Sequence, residues 1–269
     1  MSTMITLDSN KLFVIAGPCV IESTEVCLAI GRQVKEICDR LGFTYIFKAS
    51  FDKANRSSIN SFRGPGLEDG LIVLQRIKDE LGVPVLTDVH ECGQVAEVAT
   101  VVDILQVPAF LARQTDLLAA CGKTGKMINV KKGQFMAPAE MGNAIEKIRS
   151  AGGSQVLLTE RGSFFGYNRL VNDFTALPQM KAYGCPVVFD ITHSTQQPAG
   201  LGNQSGGNPQ YSPMLARAAV AAGVDGLFLE CHPEPSKAKS DAATMLDFAT
   251  VERLLTQCQQ IAQLRAGWK

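Results

Sequence analysis

The segment LFVIAGPCVIESTEVCLAIGRQVKEICDRLGFTYIFK, residues 12–48, decides the fold class. It opens with one continuous apolar run, Leu12 to Gly17, and closes with another, Phe43 to Lys48. Runs of this length, rich in β-branched and aromatic residues, are typical of parallel strands buried on both faces. Between them, Ser23 can cap a helix with apolar positions at helical spacing, and Gly42 can end it. The segment therefore predicts a strand–helix–strand unit.

The same alternation continues along the chain. Six further apolar runs of strand length follow: Val83–Asp88, Val102–Val107, Met127–Lys131, Gln155–Glu160, Pro186–Ile191 and Val224–Glu230. Eight strand–helix units without a break in composition predict an α/β fold, a single (β/α)₈ TIM barrel that takes up residues 1–269 as one catalytic domain. A doubly wound open sheet is the alternative, because periodicity alone cannot show that a sheet closes.

The segments between the runs predict helices and two long loops. Helical patterns cover Gln94–Val101, Ala139–Ala151, Pro213–Ala222 and about Asp241–Leu264. The irregular stretches Ser50–Pro65 and Thr195–Pro209 are long enough to be functional loops.

Composition excludes several classes of protein. Hydrophobic residues make up 46% of the 269 residues and charged residues 19%, which is typical of a globular protein with a sizeable core. Lys and Arg total 26, and so do Asp and Glu, so a basic nucleic-acid-binding surface is not expected. No apolar run reaches the ~18 residues of a membrane span, and the first residues lack a signal-peptide pattern. The eight cysteines form no Cys-x-x-Cys pair. Because the sequence shows no secretion signal, we expect a reducing, cytoplasmic location.

A barrel of this kind carries its active site at the carboxyl ends of its strands. Basic residues follow several predicted strands and should surround one opening: Lys48, Lys53, Arg56, Lys131 and Arg161. Lysine and arginine are suited to phosphate and carboxylate groups. Because the net charge is zero, this basic character is local. A small phosphorylated anion fits it better than a polymer.

A second group of residues can bind a metal. Cys19, His193 and Glu230 follow the first, seventh and eighth predicted strands, and the first and eighth are neighbours in a closed barrel. Asp241 is predicted at the start of the next helix. This mixed ligand set suits Zn²⁺, Fe²⁺, Mn²⁺ or Co²⁺ better than Mg²⁺ or Ca²⁺. A single buried cysteine is more often a core residue, so spacing alone leaves both interpretations open.

With these residues in place, the sequence resembles the 3-deoxy-D-manno-octulosonate 8-phosphate synthase family along nearly its whole length. The matching segments are Ala16–Ser23, Phe47–Ser58, Phe62–Gly70, Thr87–Glu91, Leu105–Asp116, Asn129–Phe135, Phe165–Asn168 and Phe189–Ser194. Related enzymes that use erythrose 4-phosphate typically have Lys-Pro-Arg-Thr-Ser after strand two. This chain has Lys53-Ala-Asn-Arg-Ser-Ser58, the form of the family that uses a five-carbon sugar.

The resemblance implies a function and a setting. The family condenses phosphoenolpyruvate with D-arabinose 5-phosphate and water, and releases phosphate. Its product is a precursor of the lipopolysaccharide inner core. The resemblance also implies a cytoplasmic (β/α)₈ barrel, usually a homotetramer, that acts on small molecules and not on nucleic acid or a membrane. A metal-dependent aldolase, another phosphoenolpyruvate-condensing enzyme and a non-catalytic barrel are the alternatives.

The resemblance also implies roles for individual residues. The phosphoenolpyruvate site is expected at Lys48, Ser50, Lys53, Gln106, Lys131 and Arg161. The pentose-phosphate site is expected at Asn55, Arg56, Ser57 and Asp88, with Arg113 reaching it from a neighbouring subunit. Cys19 indicates the metal-requiring class, since metal-independent members have Asn there, and His193, Glu230 and Asp241 complete the ligand set. The expected catalytic residues are Lys53, Lys131, Arg161 and His193.

Overall fold

The computed structural model describes residues 5–8, 11–56, 58–164, 166–198 and 206–268. In this part of the chain, eight parallel strands form a closed barrel in the order β1-β8-β7-β6-β5-β4-β3-β2. They are β1 Phe13–Gly17, β2 Thr44–Lys48, β3 Val85–Asp88, β4 Ile104–Val107, β5 Met127–Lys131, β6 Val156–Glu160, β7 Val187–Asp190 and β8 Gly226–Glu230. The first and last strands pair from Phe13 beside Gly226 to Gly17 beside Glu230. This closure confirms the barrel and excludes the open sheet.

Helices pack around the barrel. The α-helices are α1 Thr24–Leu41, α2 Leu67–Leu81, α3 Cys92–Val101, α4 Thr115–Gly122, α5 Met141–Ser150, α6 Ala176–Lys181, α7 Ser212–Ala222 and α8 Phe248–Arg265. Short 3₁₀ turns lie at Ala109–Leu111, Pro138–Glu140, His193–Thr195, Pro209–Tyr211 and Pro235–Lys237. Gln196–Gln197 pairs with Gly206–Gly207 in a small antiparallel ribbon after β7. None of the helices in the described residues is both long and apolar enough to cross a bilayer.

Helix α1 begins and ends where its sequence predicts. The Ser23 side chain accepts a hydrogen bond from the Val26 backbone N–H at 3.2 Å and so caps the first turn. Gly42 closes the helix in the left-handed region, with φ 73°, which glycine adopts without steric cost.

The last helix begins later than predicted. Helix α8 begins at Phe248, where the Asp247 side chain caps it by accepting from the Thr250 N–H. Asp241 lies in the preceding loop with a left-handed φ of 50°, so its predicted place at a helix start is wrong. The reason is that the chain before the cap pairs with the extension of β8, where Cys231 and Leu246 form a parallel bridge.

The apolar core has two parts. The larger part lies between the strands and the helices, and includes Val34 and Ile37 of α1. The smaller part fills the barrel interior with one or two residues from each strand, and Phe228 is among its members. Polar side chains replace the apolar ones at the carboxyl ends of the strands, where Lys48 and Lys131 are buried. The barrel therefore has an apolar interior and a polar mouth.

Close approach of β1 and β2 requires a glycine below this mouth. A Cβ at Gly17 would lie 2.0 Å from the backbone oxygen of Lys48, far inside any contact distance. The pairing continues past the strand ends, where Val20 and Ser50 form a parallel bridge. This continuation brings the segments that carry Cys19 and Ser50 side by side.

Candidate active site

A cavity of about 1030 Å³ opens at the carboxyl ends of the strands. Most of the residues that the sequence predicted for the site line it: Lys48, Lys53, Asn55, Arg56, Asp88, Gln106, Lys131, Arg161, His193 and Asp241. Cys19, Ser50 and Glu230 lie buried behind this wall. Arg113 is exposed and outside the lining, and Ser57 lies outside the described residues. The fold therefore brings residues from every part of the chain to one opening.

Two lysines project over the same aromatic ring. Lys131 Nζ lies 3.6 Å from the centroid of the Phe228 ring, and Lys48 Nζ lies 5.6 Å from it. Phe228 comes two residues before Glu230, so strand alternation places both on the inner face of β8. The ring forms an apolar floor that attracts cations through its negative face. Phe228 was not among the predicted site residues, although this alternation was a usable signal.

Lys131 belongs to a buried charged triad. Its Nζ donates to Asp190 Oδ2 at 2.6 Å, and His193 Nδ1 lies 2.7 Å from the same carboxylate oxygen. Burial opposes the charged form of His193, but the Asp190 carboxylate outweighs it, so the pKa of the imidazole is raised. Burial lowers the pKa of Lys131, although Asp190 partly offsets that effect. Asp190 ends β7, three residues before His193, and this spacing is visible in the sequence. It was not among the predicted site residues.

Lys48 pairs with a second buried carboxylate. Its Nζ lies 3.1 Å from Glu230 Oε1 and also 3.1 Å from the backbone oxygen of Cys19. Both side chains of the pair are almost completely buried. A buried charge without a partner raises the free energy of the folded state. Each member of this pair reduces that cost for the other, so both charged groups can remain buried beside the cavity.

Arg161 offers a free donor to the cavity. Its guanidinium is buried, and Nη2 donates to Gln196 Oε1 at 2.6 Å. Within the described part of the chain, Nη1 has no hydrogen-bond partner. Burial lowers the pKa of this guanidinium, but four surrounding carboxylates oppose that effect. An anion in the cavity would satisfy the remaining donor.

Asp88 anchors a group of polar side chains at the cavity wall. It accepts from Ser50 Oγ at 2.5 Å and from Gln106 Nε2. Burial alone would raise the pKa of Asp88, but Lys48 and Lys53 outweigh it and hold the pKa well below its usual range. The carboxylate is therefore ionised and acts only as an acceptor.

The loop after β2 supplies further cations. Burial disfavours the charge of Lys53, but the surrounding carboxylates of Glu230, Asp88 and Asp241 keep its pKa above the ordinary value. Arg56 donates through Nε to the Phe62 backbone oxygen at 3.1 Å. Its Nη2 atom is buried and has no partner among the residues described. Asn55 lines the same side of the cavity.

Four potential metal ligands meet beside this loop. Ligand atoms of Cys19, Glu230 and Asp241 lie within 4.8 Å of one another. His193 Nε2 lies 3.6 Å from Glu230 Oε2 and 3.5 Å from Asp241 Oδ2. The Cys19 thiol donates to Asp241 Oδ2 at 3.1 Å and also lies 2.8 Å from the Ser240 hydroxyl. Ser240, which adjoins Asp241, was not among the predicted site residues.

The donor set fits a divalent transition metal. It combines sulfur, nitrogen and carboxylate oxygen, the mixture that suits Zn²⁺, Fe²⁺, Mn²⁺ and Co²⁺. Glu230 Oε2 is buried and, in the described residues, has no hydrogen-bond partner. Burial and then the Asp241 and Glu230 carboxylates raise the pKa of the Cys19 thiol, an effect that a bound cation opposes.

Comparison with known proteins agrees with this architecture. The model of the DAHP synthetase I family matches residues 2–266. A protein of Cyanothece sp. (strain PCC 7425 / ATCC 29141) is 59% identical over 250 residues, which cover 93% of this chain and 92% of that protein. A protein of Thioalkalivibrio sulfidiphilus (strain HL-EbGR7) is 55% identical over 246 residues, 91% of this chain and 88% of its own length.

A third relative, from Synechococcus sp. (strain ATCC 27144 / PCC 6301 / SAUG 1402/1), is 54% identical over 256 residues, 95% of this chain and 90% of that protein. All three relatives carry the name 2-dehydro-3-deoxyphosphooctonate aldolase. The match of the family model and the identity to these relatives both extend over nearly the whole chain. The chain therefore belongs to the DAHP synthetase I family.

Proposed function

We propose that this chain is an enzyme that condenses phosphoenolpyruvate with D-arabinose 5-phosphate and water. The products are 3-deoxy-D-manno-octulosonate 8-phosphate and inorganic phosphate. The name shared by its relatives supports this reaction. The observation that carries the proposal is the buried Arg161 guanidinium, whose Nη1 has no partner in the described residues, in the cavity that Lys48 and Lys131 also line. Such a wall is suited to a small phosphorylated anion.

The cations make the encounter of the two substrates favourable. Both substrates carry phosphate, and their mutual repulsion at close range amounts to several kcal/mol at an effective dielectric constant of about 20. Lysine and arginine side chains that are already in place offset this repulsion without reorganising during the reaction. Lys48, Ser50 and Gln106 are proposed to hold phosphoenolpyruvate. Asn55, Arg56, Ser57 and Asp88 are proposed to hold the pentose phosphate.

The reaction forms one carbon–carbon bond. C3 of phosphoenolpyruvate attacks the aldehyde carbon of the open-chain sugar, and positive character develops at C2. Water adds at C2, and the resulting tetrahedral intermediate releases phosphate when its C–O bond breaks. Lys131 and Arg161 are proposed to stabilise the departing phosphate, because charge increases on its oxygens as that bond breaks. Lys53, His90 and His193 are the candidates for moving protons.

The donor set described above suggests a bound divalent transition metal. Cys19, His193, Glu230 and Asp241 would hold it. When bound, such an ion supplies Lewis-acid chemistry that can polarise a carbonyl, orient sugar hydroxyls or activate water. His193 also contacts the Asp190 carboxylate, which orients its ring.

The oligomeric state and the cellular location are also proposed. A homotetramer agrees with an exposed Arg113 outside the cavity of its own chain, since from a neighbouring subunit it can reach a sugar phosphate. A cytoplasmic location agrees with eight free cysteines. The product would then serve as a precursor of the lipopolysaccharide inner core.

Phosphate release tests the proposal. Purified protein is incubated with phosphoenolpyruvate and either arabinose 5-phosphate or erythrose 4-phosphate, and the sugar product is identified by mass spectrometry. We expect turnover with the five-carbon sugar and little with the four-carbon sugar. A preference for erythrose 4-phosphate would reassign the enzyme within its family. Binding of both substrates without turnover would indicate a non-catalytic barrel.

Chelation tests the metal separately. We expect thorough removal of divalent ions to abolish turnover and one of Zn²⁺, Fe²⁺, Mn²⁺ or Co²⁺ to restore it. Turnover that survives complete removal of metal would keep the reaction and reject the metal.

A further inference from the structure

Four polar side chains form a continuous hydrogen-bonded chain across strands β3 to β6. Thr159 Oγ1 donates to Asn129 Oδ1 at 2.7 Å, and Asn129 Nδ2 donates to Gln106 Oε1 at 2.8 Å. Gln106 Nε2 donates in turn to Asp88 Oδ1. The strand register places three of them side by side, because Asp88 pairs with Gln106, and Gln106 pairs with Asn129. Thr159 is in register with Lys131, two residues after Asn129.

Only half of this polar chain reaches the cavity. Gln106 and Asp88 line it. Asn129 and Thr159 have no exposed surface and lie outside its lining. Any effect of Asn129 or Thr159 on a ligand is therefore indirect, and the hydrogen bonds of their side chains lead to Gln106.

The direction of the polar chain is fixed by its end at Asp88. An ionised carboxylate only accepts hydrogen bonds, so Gln106 must turn its NH₂ group toward Asp88. Its carbonyl oxygen then faces Asn129 and needs a donor, which the Asn129 NH₂ group supplies. The Asn129 oxygen needs a donor in turn, and the Thr159 hydroxyl supplies it. One amide turned the other way would bring two acceptors together in a buried site, at a cost comparable to losing a hydrogen bond.

The orientation of the Gln106 amide determines what the cavity presents to a ligand. Its Nε2 atom carries two hydrogens, and one of them is used by Asp88. In the residues that the structure describes, the second has no acceptor, and Gln106 lies on the wall of a cavity rich in cations. The opposite orientation would turn a carbonyl oxygen toward an anion.

We propose that Asn129 and Thr159 are positioning residues that hold the Gln106 amide so that it presents an N–H donor to the carboxylate or phosphate of phosphoenolpyruvate. This inference rests on the proposed function, because the reaction defines the anion. It assigns a role in substrate recognition to two residues that do not touch substrate.

Four variants separate positioning from simple stability. Asn129→Leu cuts the polar chain, and Thr159→Val removes its first donor while keeping the side-chain volume. Thr87→Val is the matched control, since Thr87 is also fully buried on a strand and its hydroxyl donates to the Ala49 backbone oxygen at 2.7 Å. Thr159→Ser keeps the donor and should rescue the function.

Steady-state kinetics and thermal melting are measured for each variant. Loss of one buried hydrogen bond should raise the KM for phosphoenolpyruvate about two- to tenfold in Thr159→Val. Loss of two should raise it about ten- to a hundredfold in Asn129→Leu. Thr159→Ser and Thr87→Val should change it less than about twofold. The KM for arabinose 5-phosphate should change less than that for phosphoenolpyruvate in every variant. Equal effects of Thr159→Val and Thr87→Val on both KM and melting would overturn the proposal.

A structural measurement keeps this test independent of the reaction. Crystal structures of Asn129→Leu and Thr87→Val should show the Gln106 side chain displaced from its wild-type position only in the first, because only there does Gln106 Oε1 lose its donor. If the wild-type protein makes no octulosonate but Gln106 moves as expected, the positioning role stands and the proposed function fails. If product forms but Gln106 keeps its wild-type position in Asn129→Leu, the function stands and the positioning role fails.

Discussion

Replacement of Arg161 by Lys should strongly reduce catalysis while leaving the fold intact. The guanidinium is 4% exposed, holds Gln196 through Nη2, and keeps Nη1 unpartnered in the described part of the structure. Lysine retains the positive charge but presents a single ammonium group, so it cannot bond to Gln196 and to an anion in the same fork geometry.

The size of the effect follows from the one bond that is lost. A hydrogen bond to a charged group contributes about 1.5–3 kcal/mol. At about 1.4 kcal/mol for each factor of ten, kcat/KM should fall about ten- to a hundred-and-fiftyfold. Because Arg161 is proposed to act on the departing phosphate, most of this loss should appear in kcat and little in KM.

The assay is phosphate release under saturating and limiting phosphoenolpyruvate, with the melting temperature measured in parallel. Arg149→Lys is the matched control, since Arg149 lies exposed near the end of α5 and away from the cavity. Activity of Arg161→Lys within twofold of the wild type would refute the reasoning. So would a loss of activity that follows the melting temperature alone.

Three further predictions address the metal, the sugar site and pH. Cys19→Ala should lower both the activity and the amount of bound metal, which is measured by elemental analysis. The control Cys92→Ala, at an exposed position, should change neither. Full metal content in Cys19→Ala would reject Cys19 as a ligand. Arg56→Ala should raise the KM for arabinose 5-phosphate more than the KM for phosphoenolpyruvate, and an equal rise in both would argue against its place in the sugar site. Burial lowers the pKa of His90 below 6.5, although the Asp88 carboxylate opposes that effect. As the pH falls, the His90 imidazole is therefore protonated in the unfolded protein before it is protonated in the folded protein. The free energy of unfolding should therefore decrease as the pH falls below about 6.5, and His90→Gln should weaken that decrease in denaturant titrations; an unchanged slope would contradict it.

The cavity balances its own charges before any substrate arrives. Lys48 lies beside Glu230 and Lys131 beside Asp190, and behind the lining Lys132 lies 3.6 Å from Glu160. Each pair reduces the cost of burying a cation in the barrel. Arg161 differs, because one of its nitrogens is left unpartnered within the described residues. Substrate anions therefore meet Lys48 and Lys131 already paired with carboxylates, and two arginines, Arg161 and Arg56, that each still have a donor to offer.

The secondary structure could be predicted from the sequence because apolar runs and helix caps depend on residues that are close together in the chain. Each apolar run became a strand within two residues of the predicted bounds, and the run at Met127–Lys131 matched at both ends. Ser23 and Gly42 capped α1 as predicted. The start of the last helix was wrong, since the cap at Asp247 and the pairing of Leu246 with Cys231 both depend on residues brought together by the fold.

The sequence by itself determined the strand–helix alternation and which chemical groups follow each strand. It does so because burial on both strand faces leaves a continuous apolar run, and the polar residues must come after it. From these groups alone it predicted an anion site, and it left the metal site and the closure of the barrel open.

Only the tertiary structure decided which of those groups meet. Closure pairs Gly17 with Glu230, and this places Cys19 beside residues more than two hundred positions away. Phe228 under the lysines, and the hydrogen-bonded sequence from Thr159 to Asp88, likewise exist only across strands. The physical reason is that strand register and hydrogen-bond direction are properties of neighbouring strands, and no single segment of sequence contains them.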